Sequence, residues 1–560
     1  MAKMNGAQMV VKALEDEGVT TIFGLPGGTV IHLYDALYDS KMKHILMRHE
    51  QAAAHAADGY ARASGKTGVC IATSGPGATN LVTGIATANM DSSPIVALTG
   101  QVPTTLIGTD AFQEADIVGA SLPLVKHSFQ VRTPDQIQQT IHKAFYIASS
   151  GRPGPVLVDI PANVQKGMGD YEFSSDLNLM GYHPENIYNV AQLDKAVDLI
   201  EHAEKPVIFA GGGVICSGAA KKLTAFALKY NIPVTTTLLG KGAFPESHES
   251  GLALGMAGMH GHPVANRALM AADLIIAIGT RFSDRTTGKR ANFAKNAKII
   301  HIDLDEAEID KAISSDVWLI GDAGRILDAL SSSMRKKTAD HSEWNRLLSE
   351  IRIKEPMPHS EYGNEIAPWQ VLETLRELTG GKAVVTTEVG QNQMWTAQHL
   401  RVEAPRRFIT SGGLGTMGFG FPAAIGAAFV CSGQPVCCIA GDGSLMMNIQ
   451  ELDTCARYNL PVKVILLNNV CLGNVRQWQQ FFYNHRYSHT IYSRSPDFVK
   501  LAEAMGVAGF SASTTEDLRP ALEKALAEPG PALVDIRIPQ GALIMPMVYP
   551  GNSLDEMVTA

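Results

Sequence analysis

The residues best suited to chemistry are Gly441-Asp442-Gly443-Ser444 and, further along, Leu467-Asn468-Asn469. Each closes an apolar run that reads as a buried strand, 436–440 for the first and 462–467 for the second. Together they offer a carboxylate, an amide oxygen and a glycine turn. A magnesium diphosphate needs those groups: hard oxygen ligands for the cation and bare backbone N–H groups for the phosphate oxygens. A lone Gly-Asp-Gly occurs in many ordinary turns. The second motif at a second strand end sharpens the reading, because both must then lie on one edge of a sheet. The pair does not say whose diphosphate it holds.

Arg48-His49-Glu50-Gln51 stands where a strand-like run gives way to an alanine-rich helical one, so Glu50 falls at a strand end or in a first helical turn. Two readings stay open for it: a carboxylate favoured there by the helix dipole, or a buried acid able to exchange protons near neutral pH. Thr73-Ser74-Gly75-Pro76-Gly77-Ala78-Thr79-Asn80 is a second glycine turn, either structural or a ligand cradle. Gly211-Gly212-Gly213 after an apolar run suggests a dinucleotide contact or, equally, close packing. Gly258-Met259-His260-Gly261 and Thr280-Arg281-Phe282 could add contacts, although His260 alone is more in keeping with a structural histidine. Trp395 and Trp478 are two of five tryptophans. Core packing is the default for such residues, but Trp478 follows the Asn468-Asn469 turn in an amphipathic run, where it could wall a pocket.

Strand-like and helix-like runs alternate along the 560 residues, the pattern of parallel, doubly wound α/β domains. That length exceeds one hydrophobic core and suggests about three or four domains. Residues 68–77 resemble 435–444, each a strand delivered into a glycine turn, which suggests two similar outer domains. A different block lies between them, with strands expected at 205–210, 272–279 and 298–303. The polar stretch 170–189 and the charged, proline-containing stretch 335–364 are the expected linkers. A formal charge of −8 argues against a general nucleic-acid surface. The seven cysteines form no Cys-x-x-Cys pair and several sit in apolar runs, so reduced, buried thiols in a cytoplasmic protein are expected. Residues 1–7 run into an amphipathic pattern without a signal-peptide core, and no apolar run approaches a membrane span, so no membrane partner is expected.

Taken together, these motifs resemble those of the thiamine-diphosphate-dependent enzymes, and within them the large, catalytic subunit of the acetolactate synthase (acetohydroxyacid synthase) family. The resemblance covers almost the whole chain. It rests on Phe23-Gly24-Leu25-Pro26-Gly27-Gly28, Arg48-His49-Glu50-Gln51, Gly100-Gln101-Val102-Pro103, Gly108-Thr109-Asp110-Ala111-Phe112-Gln113-Glu114 and Gly151-Arg152-Pro153-Gly154-Pro155-Val156. Further on it rests on Gly258-Met259-His260-Gly261, Ser411-Gly412-Gly413-Leu414-Gly415-Thr416-Met417-Gly418, the Asp442 and Asn469 pair, and Met545-Pro546-Met547-Val548.

The resemblance implies three doubly wound parallel-sheet domains: pyrimidine-binding at 1–175, central, FAD-binding and Rossmann-like at 190–340, and diphosphate-binding at 365–560. It implies that Glu50 hydrogen-bonds the aminopyrimidine ring, that Met417 holds the cofactor bent, and that Asp442, Asn469 and the main-chain oxygen of Cys471 hold Mg2+. Pro76, Asn80, Gly390, Gln391, Asn392, Gly415, Gly441, Gly443 and Ser444 are expected around the cofactor, with Gly28, Gln113 and Lys126 near the reacting centre. Trp478 is expected to shape the acceptor pocket and Arg285 to pair with the acceptor carboxylate. Arg152, Gly212, Gly213, Thr237, Leu238, Met259, His260, Gly279, Arg281, Asp303 and Asp322 are expected to hold an FAD that takes no part in the net reaction.

The implied reaction is decarboxylation of pyruvate and transfer of its two-carbon unit to a second 2-keto acid. Pyruvate as acceptor gives 2-acetolactate, and 2-ketobutyrate gives 2-aceto-2-hydroxybutyrate, the first common step of branched-chain amino acid biosynthesis. Catabolic enzymes of this kind lack the flavin set, so its presence favours the biosynthetic branch. A homodimer or homotetramer is implied, with Glu50 of one copy facing Asp442 of another, and a small regulatory subunit is admitted. Four positions depart from the family pattern. Glu388 replaces an Asp, and Asn392 replaces a His yet could still donate to phosphate. Asn474 replaces a Met, which bears on substrate preference. Thr29 replaces a smaller residue and could narrow the channel. The alternatives are another flavin- and thiamine-containing enzyme such as a pyruvate oxidase, or a degenerate structural homologue.

Overall fold

Short runs of valine, isoleucine, leucine and alanine, each closed by a glycine or polar turn, form the strands of three parallel sheets. The computed structural model describes residues 2–559, apart from 173–176, 178, 183, 185–187 and 336–338. The first sheet holds Thr21–Gly24, Lys43–Leu46, Gly68–Ala72, Ile95–Gln101, His127–Gln130 and Val156–Pro161. Counted along the chain, these strands lie in the order 2-1-3-4-6-5. The third sheet, with Val384–Thr387, Phe408–Thr410, Val436–Gly441, Val462–Asn468, Ala508–Ala512 and Ala532–Arg537, has the same order. The likeness of 68–77 to 435–444 has its meaning here, for each supplies the third strand of its sheet.

The central sheet differs. Pro206–Ala210, Val234–Thr236, Ala253–Met256, Leu274–Ile278, Lys298–Asp303 and Val317–Ile320 lie in the order 3-2-1-4-5-6, as in dinucleotide-binding folds. In all three sheets the connections reverse direction beside the first strand. That reversal opens a crevice at the carboxyl edge, where ligands of such sheets bind.

Two intervals depart from the expected division. Residues 335–364, expected as a linker, contain the helix Ser342–Lys354. Its Trp344 and Leu348 enter the central core, and Trp344 Nε1 donates to the Pro206 carbonyl at 3.2 Å. The charged face of this helix hid that apolar pair from a reading by composition. At the far end, Val548 and Leu554 join the same central core, so the last segment of the expected third domain packs on the second. The other expected linker, 170–189, falls partly outside the described residues. Before it, Met168–Tyr171 pairs antiparallel with Ala2–Asn5 and fastens the two ends of the first domain together.

The outer domains meet through equivalent helices, each following the second strand of its sheet. These are Glu50–Ser64 and Gly420–Ala428. Both are built of alanine and glycine on the shared face. A Cβ at Gly59 would run into the Ala423 backbone, and one at Gly426 into the Ala56 carbonyl oxygen. The helices therefore touch backbone to backbone, closer than larger side chains allow. Beside them, half-buried Arg62 donates to Asp58 at 2.6 Å, pairs with Asp91 at 3.1 Å and donates to the Thr410 carbonyl at 2.7 Å. All seven cysteines are free thiols, five of them buried. Among the described residues, no helix is long and apolar enough to cross a membrane.

This contact yields a direct prediction. Gly426→Ala should cost about 1–3 kcal/mol or more, the usual penalty for overpacking, read as an earlier thermal transition. Gly541→Ala, whose Cβ would meet open space, should leave the transition unchanged. Equal transitions for the two variants would mean that the helices have room to separate.

Candidate functional site

The carboxyl edge of the third sheet carries the predicted diphosphate site. Val384–Thr387 and Val436–Gly441 flank the crevice of that sheet, and Val462–Asn468 lies next. Asp442 follows the second of these strands and Asn469 the third, as expected from their spacing. Asp442 is buried, its Oδ2 has no hydrogen-bond partner, and burial pushes its carboxyl up to about 7. An unpartnered buried carboxylate oxygen beside the main chain of residues 469–471 suits a divalent cation. Asn469 Nδ2 donates to Gln391 Oε1 at 3.0 Å, which leaves its own oxygen available.

Backbone strain fixes this corner. Val470, a β-branched residue, has φ 58°, a conformation that costs of order 1–3 kcal/mol and is found where function demands it. Its neighbours are tied down by Leu472 N donating to Thr490 O at 2.8 Å and Tyr492 N to Val470 O at 3.1 Å. Gly443 must lack a side chain because a Cβ would strike the Tyr492 hydroxyl. Ser444 Oγ closes the turn on Gly441. Gly390, at φ 146°, caps the helix Gln391–His399, which starts just after the strand Val384–Thr387 at the same edge of the sheet. The Gln391 side chain is engaged with Asn469, Gln477 and the Ala542 carbonyl.

Asn392 departs from its expected role. Its Nδ2 donates to the Glu388 carbonyl at 2.8 Å and the Ile439 carbonyl at 3.1 Å. Both amide hydrogens are thus used within the fold, and Asn392 braces two strand ends instead of presenting its amide to a phosphate.

The segment 411–419, which carries Gly415 and Met417, has no regular secondary structure. Gly415 and Gly418 adopt φ 70° and 88°, and Met417 is half-buried. Gly418 N and Phe421 N donate to the wholly buried Glu388 carboxylate at 2.7 and 2.9 Å. Gly412 N and Gly413 N donate to Asp91 at 3.0 and 2.6 Å.

On the first domain, Glu50 is the first residue of its helix and is buried. Its Oε2 accepts from Asn80 Nδ2 at 2.9 Å, and a Cβ on Gly77 would crowd its Oε1. Pro76 begins the helix Pro76–Asn80. Gly75 and Gly77 press against Gln113 and Thr73, and Gly27 against Thr73, so Gly28, Gln113, Pro76, Asn80 and Glu50 gather at one sheet edge. Gly28 itself faces open space. Thr29 turns its hydroxyl to Thr73 Oγ1 at 3.0 Å and Ser74 N at 2.9 Å, so it ties two loops together where narrowing of the channel was expected.

Lys126 does not join this group within the chain. It immediately precedes His127–Gln130 and so stands at the amino edge of the sheet, opposite the edge that bears Gly28. Its ammonium donates to the Ile147 carbonyl and, at 2.7 Å, to that of Ser150. Burial brings its pKa down to about 8.

A cavity of about 980 Å³ opens where the three domains meet, at the upper end of the usual range for ligand sites. All eleven residues expected at a flavin line it: Arg152, Gly212, Gly213, Thr237, Leu238, Met259, His260, Gly279, Arg281, Asp303 and Asp322. Gly213 and Gly279 press together so closely that neither could carry a side chain, as the close-packing reading of the glycine triplet has it. Burial moves the Asp303 carboxyl up to about 6 and the His260 imidazole down to about 4. His260 Nδ1 is buried without a partner. Arg152 spans the cavity wall, donating to Ser92, Asp305 and Glu308.

The same cavity reaches Gly390, Gly415, Asn474, Trp478 and Arg285. The Arg285 guanidinium lies 5.7 Å from the centroid of the Trp478 ring. Asn474 Oδ1 and Trp478 Nε1 are both buried without partners. Trp395 is a core residue whose Nε1 donates to the Leu543 carbonyl at 3.2 Å. Several residues of the site gave no sequence signal. Asp91, Arg62 and Glu451 act on backbone atoms hundreds of positions away, as when the Glu451 carboxylate accepts from Arg48 N at 3.0 Å.

Comparison with known proteins agrees with this geometry. Three family models match: the thiamine pyrophosphate enzyme N-terminal TPP binding domain over residues 4–120, the central domain over 193–330 and the C-terminal TPP binding domain over 388–536. A probable acetolactate synthase large subunit of Methanocaldococcus jannaschii is 50% identical, over 99% of this chain and 95% of that protein. An acetolactate synthase of Mycobacterium bovis is 48% identical, over 100% and 92%. An acetolactate synthase large subunit of Buchnera aphidicola subsp. Schizaphis graminum is 45% identical, over 100% and 99%. With its three parallel-sheet domains, its diphosphate edge and matches of this extent, the chain belongs to the acetolactate synthase large-subunit family of thiamine pyrophosphate enzymes.

Proposed function

We propose that this enzyme decarboxylates pyruvate and joins the two-carbon unit to a second pyruvate or to 2-ketobutyrate, in branched-chain amino acid biosynthesis. The observation that carries this reading is the pairing of Arg285 with the Trp478 ring on the rim of a cavity that also reaches Gly390 and Gly415. A guanidinium suits a keto-acid carboxylate, and a large aromatic wall suits its short alkyl chain. Thiamine diphosphate supplies, when bound, the carbon nucleophile and electron sink that the chemistry requires.

The residues of this chain have separable tasks in that reading. Asp442, Asn469 and the Cys471 carbonyl would hold Mg2+, and the amides of Gly390, Gln391, Gly443 and Ser444 would take the phosphate oxygens. Glu50 would take or give a proton at its carboxylate, which Asn80 keeps aimed. Met417 would pack against the bound cofactor and restrain its shape. FAD occupies the central cavity as a structural group, supported by the dinucleotide-type strand order and by the unpartnered His260 Nδ1 in the wall.

Two copies of the chain build each site in this proposal, Glu50 of one facing Asp442 of the other. Exposed apolar side chains beside both half-sites support it: Ile31 and Phe112 at the first, Met446, Met447, Val475 and Ile491 at the second. The words "large subunit" in the names of relatives support a smaller regulatory chain as a further partner.

Glu50→Gln should fold and bind cofactor yet lose at least about a hundredfold in turnover, because an amide cannot take the proton. Near-normal acetolactate formation by that variant would remove Glu50 from the mechanism. With pyruvate and 2-ketobutyrate in competition, Trp478→Ala should shift the product ratio toward acetolactate, and an unchanged ratio would take the acceptor pocket away from Trp478. Anaerobic turnover should proceed without bleaching of the flavin absorbance. Obligatory consumption of oxygen or a quinone would replace this reading with that of an oxidase.

A further inference from the structure

The segment from Ser411 to Phe421 contains five glycines, at 412, 413, 415, 418 and 420. Such a segment has the least intrinsic reason of any in the chain to hold one shape, since glycine loses the most conformational freedom on ordering. It is nevertheless restrained at both ends by buried carboxylates. Asp91, from the first domain, accepts from Gly412 N and Gly413 N at 3.0 and 2.6 Å. Glu388, from the third domain, accepts from Gly418 N and Phe421 N at 2.7 and 2.9 Å. Between them, Thr416 N donates to Ser411 Oγ at 3.0 Å, and Asn448 Nδ2 donates to the Gly418 carbonyl at 2.7 Å. The residue at the centre of this arrangement is Met417.

We propose that Glu388 and Asp91 are positioning residues: a two-carboxylate clamp, one jaw from each outer domain, that fixes the 412–421 backbone so that Met417 keeps the cofactor bent. The proposal rests on the role assigned above to Met417. The two jaws differ in chemistry. Asp91 is also paired with Arg62, so its charge is balanced by a cation and its place is set by the helix Glu50–Ser64. Glu388 is completely buried and its partners are backbone amides. A carboxylate held in this way is a strong acceptor for two N–H groups at once. Its isosteric amide is not, because one of the two positions becomes a donor aimed at another donor. The longer Glu arm, where the resembling family has Asp, reaches both Gly418 N and Phe421 N from the strand end.

The test is a double-mutant cycle on the cofactor-loaded enzyme, read by exchange of the cofactor C2 hydrogen for deuterium and, separately, by thiamine diphosphate affinity. Met417→Ala should slow exchange at least tenfold. Glu388→Gln and Asp91→Asn should each slow it similarly, with cofactor affinity within threefold of the unaltered enzyme. In the Met417→Ala background, either clamp variant should add less than threefold, because it acts through Met417. Asn448→Ala, which removes the bond to the Gly418 carbonyl and the one Asn448 Oδ1 accepts from Gln450, provides the same comparison should Glu388→Gln fail to fold. Normal exchange in Met417→Ala would overturn the role of Met417 and the clamp with it. Slowed exchange in Met417→Ala with normal exchange in the clamp variants would overturn the clamp alone. So would full additivity, or losses in the clamp variants that merely track a weaker cofactor affinity.

Discussion

Everything that the outer domains do together depends on how closely two helices approach. Glu50–Ser64 and Gly420–Ala428 meet through alanine and glycine, with Ala56 and Ala423 offering backbone to Gly426 and Gly59. Helix pairs with larger side chains stand about 8–10 Å apart. A contact between main chains is less forgiving, since there is no side chain to repack. This rigidity matters because Glu50 opens one helix, while Met417 immediately precedes the other. With each site built from two copies, this frame ties the proton-exchanging group of one site to the Met417 segment of the other.

Buried charge is the second theme. Asp442, Glu388 and Glu451 are carboxyls that burial pushes up to about 7, yet their surroundings differ. Glu388 and Glu451 are surrounded by donors, from the 418–421 and 454 positions respectively and from Arg48 N. Asp442 keeps an oxygen with no partner. Among the described residues it is the only carboxylate oxygen buried without a partner, and a buried acid left open in this way marks a place for a ligand. The strained Val470 beside it points the same way.

Much of this was legible in the sequence, for definite reasons. Asp442 and Asn469 were readable because strand ends announce themselves by the runs before them. The paired outer domains showed in the echo of 68–77 in 435–444. The residues expected at a flavin came from resemblance, and they line one cavity. What escaped was long-range. Asp91 and Glu388 bind backbone amides, and an amide carries no residue type for a pattern to catch. Lys126 was placed by analogy, whereas its position just before a strand already assigns it to the amino edge. The helix Ser342–Lys354 looked like a linker because few of its residues, Trp344, Leu348 and Ile351, turn to the core among many charged ones.

The order of the chain gives the helix pair one more consequence. The alanine face of Glu50–Ser64 is made early, and its mate at Gly420–Ala428 comes about 350 residues later. At ordinary rates of synthesis, that interval is roughly 20–70 s. Throughout it the first domain emerges with a flat, apolar stripe uncovered, while the entire central domain is still being translated. The geometry that makes the finished frame rigid therefore lengthens the period in which a nascent chain is open to aggregation. It makes the protein's yield in a cell sensitive to translation speed and to chaperones that shield apolar helices.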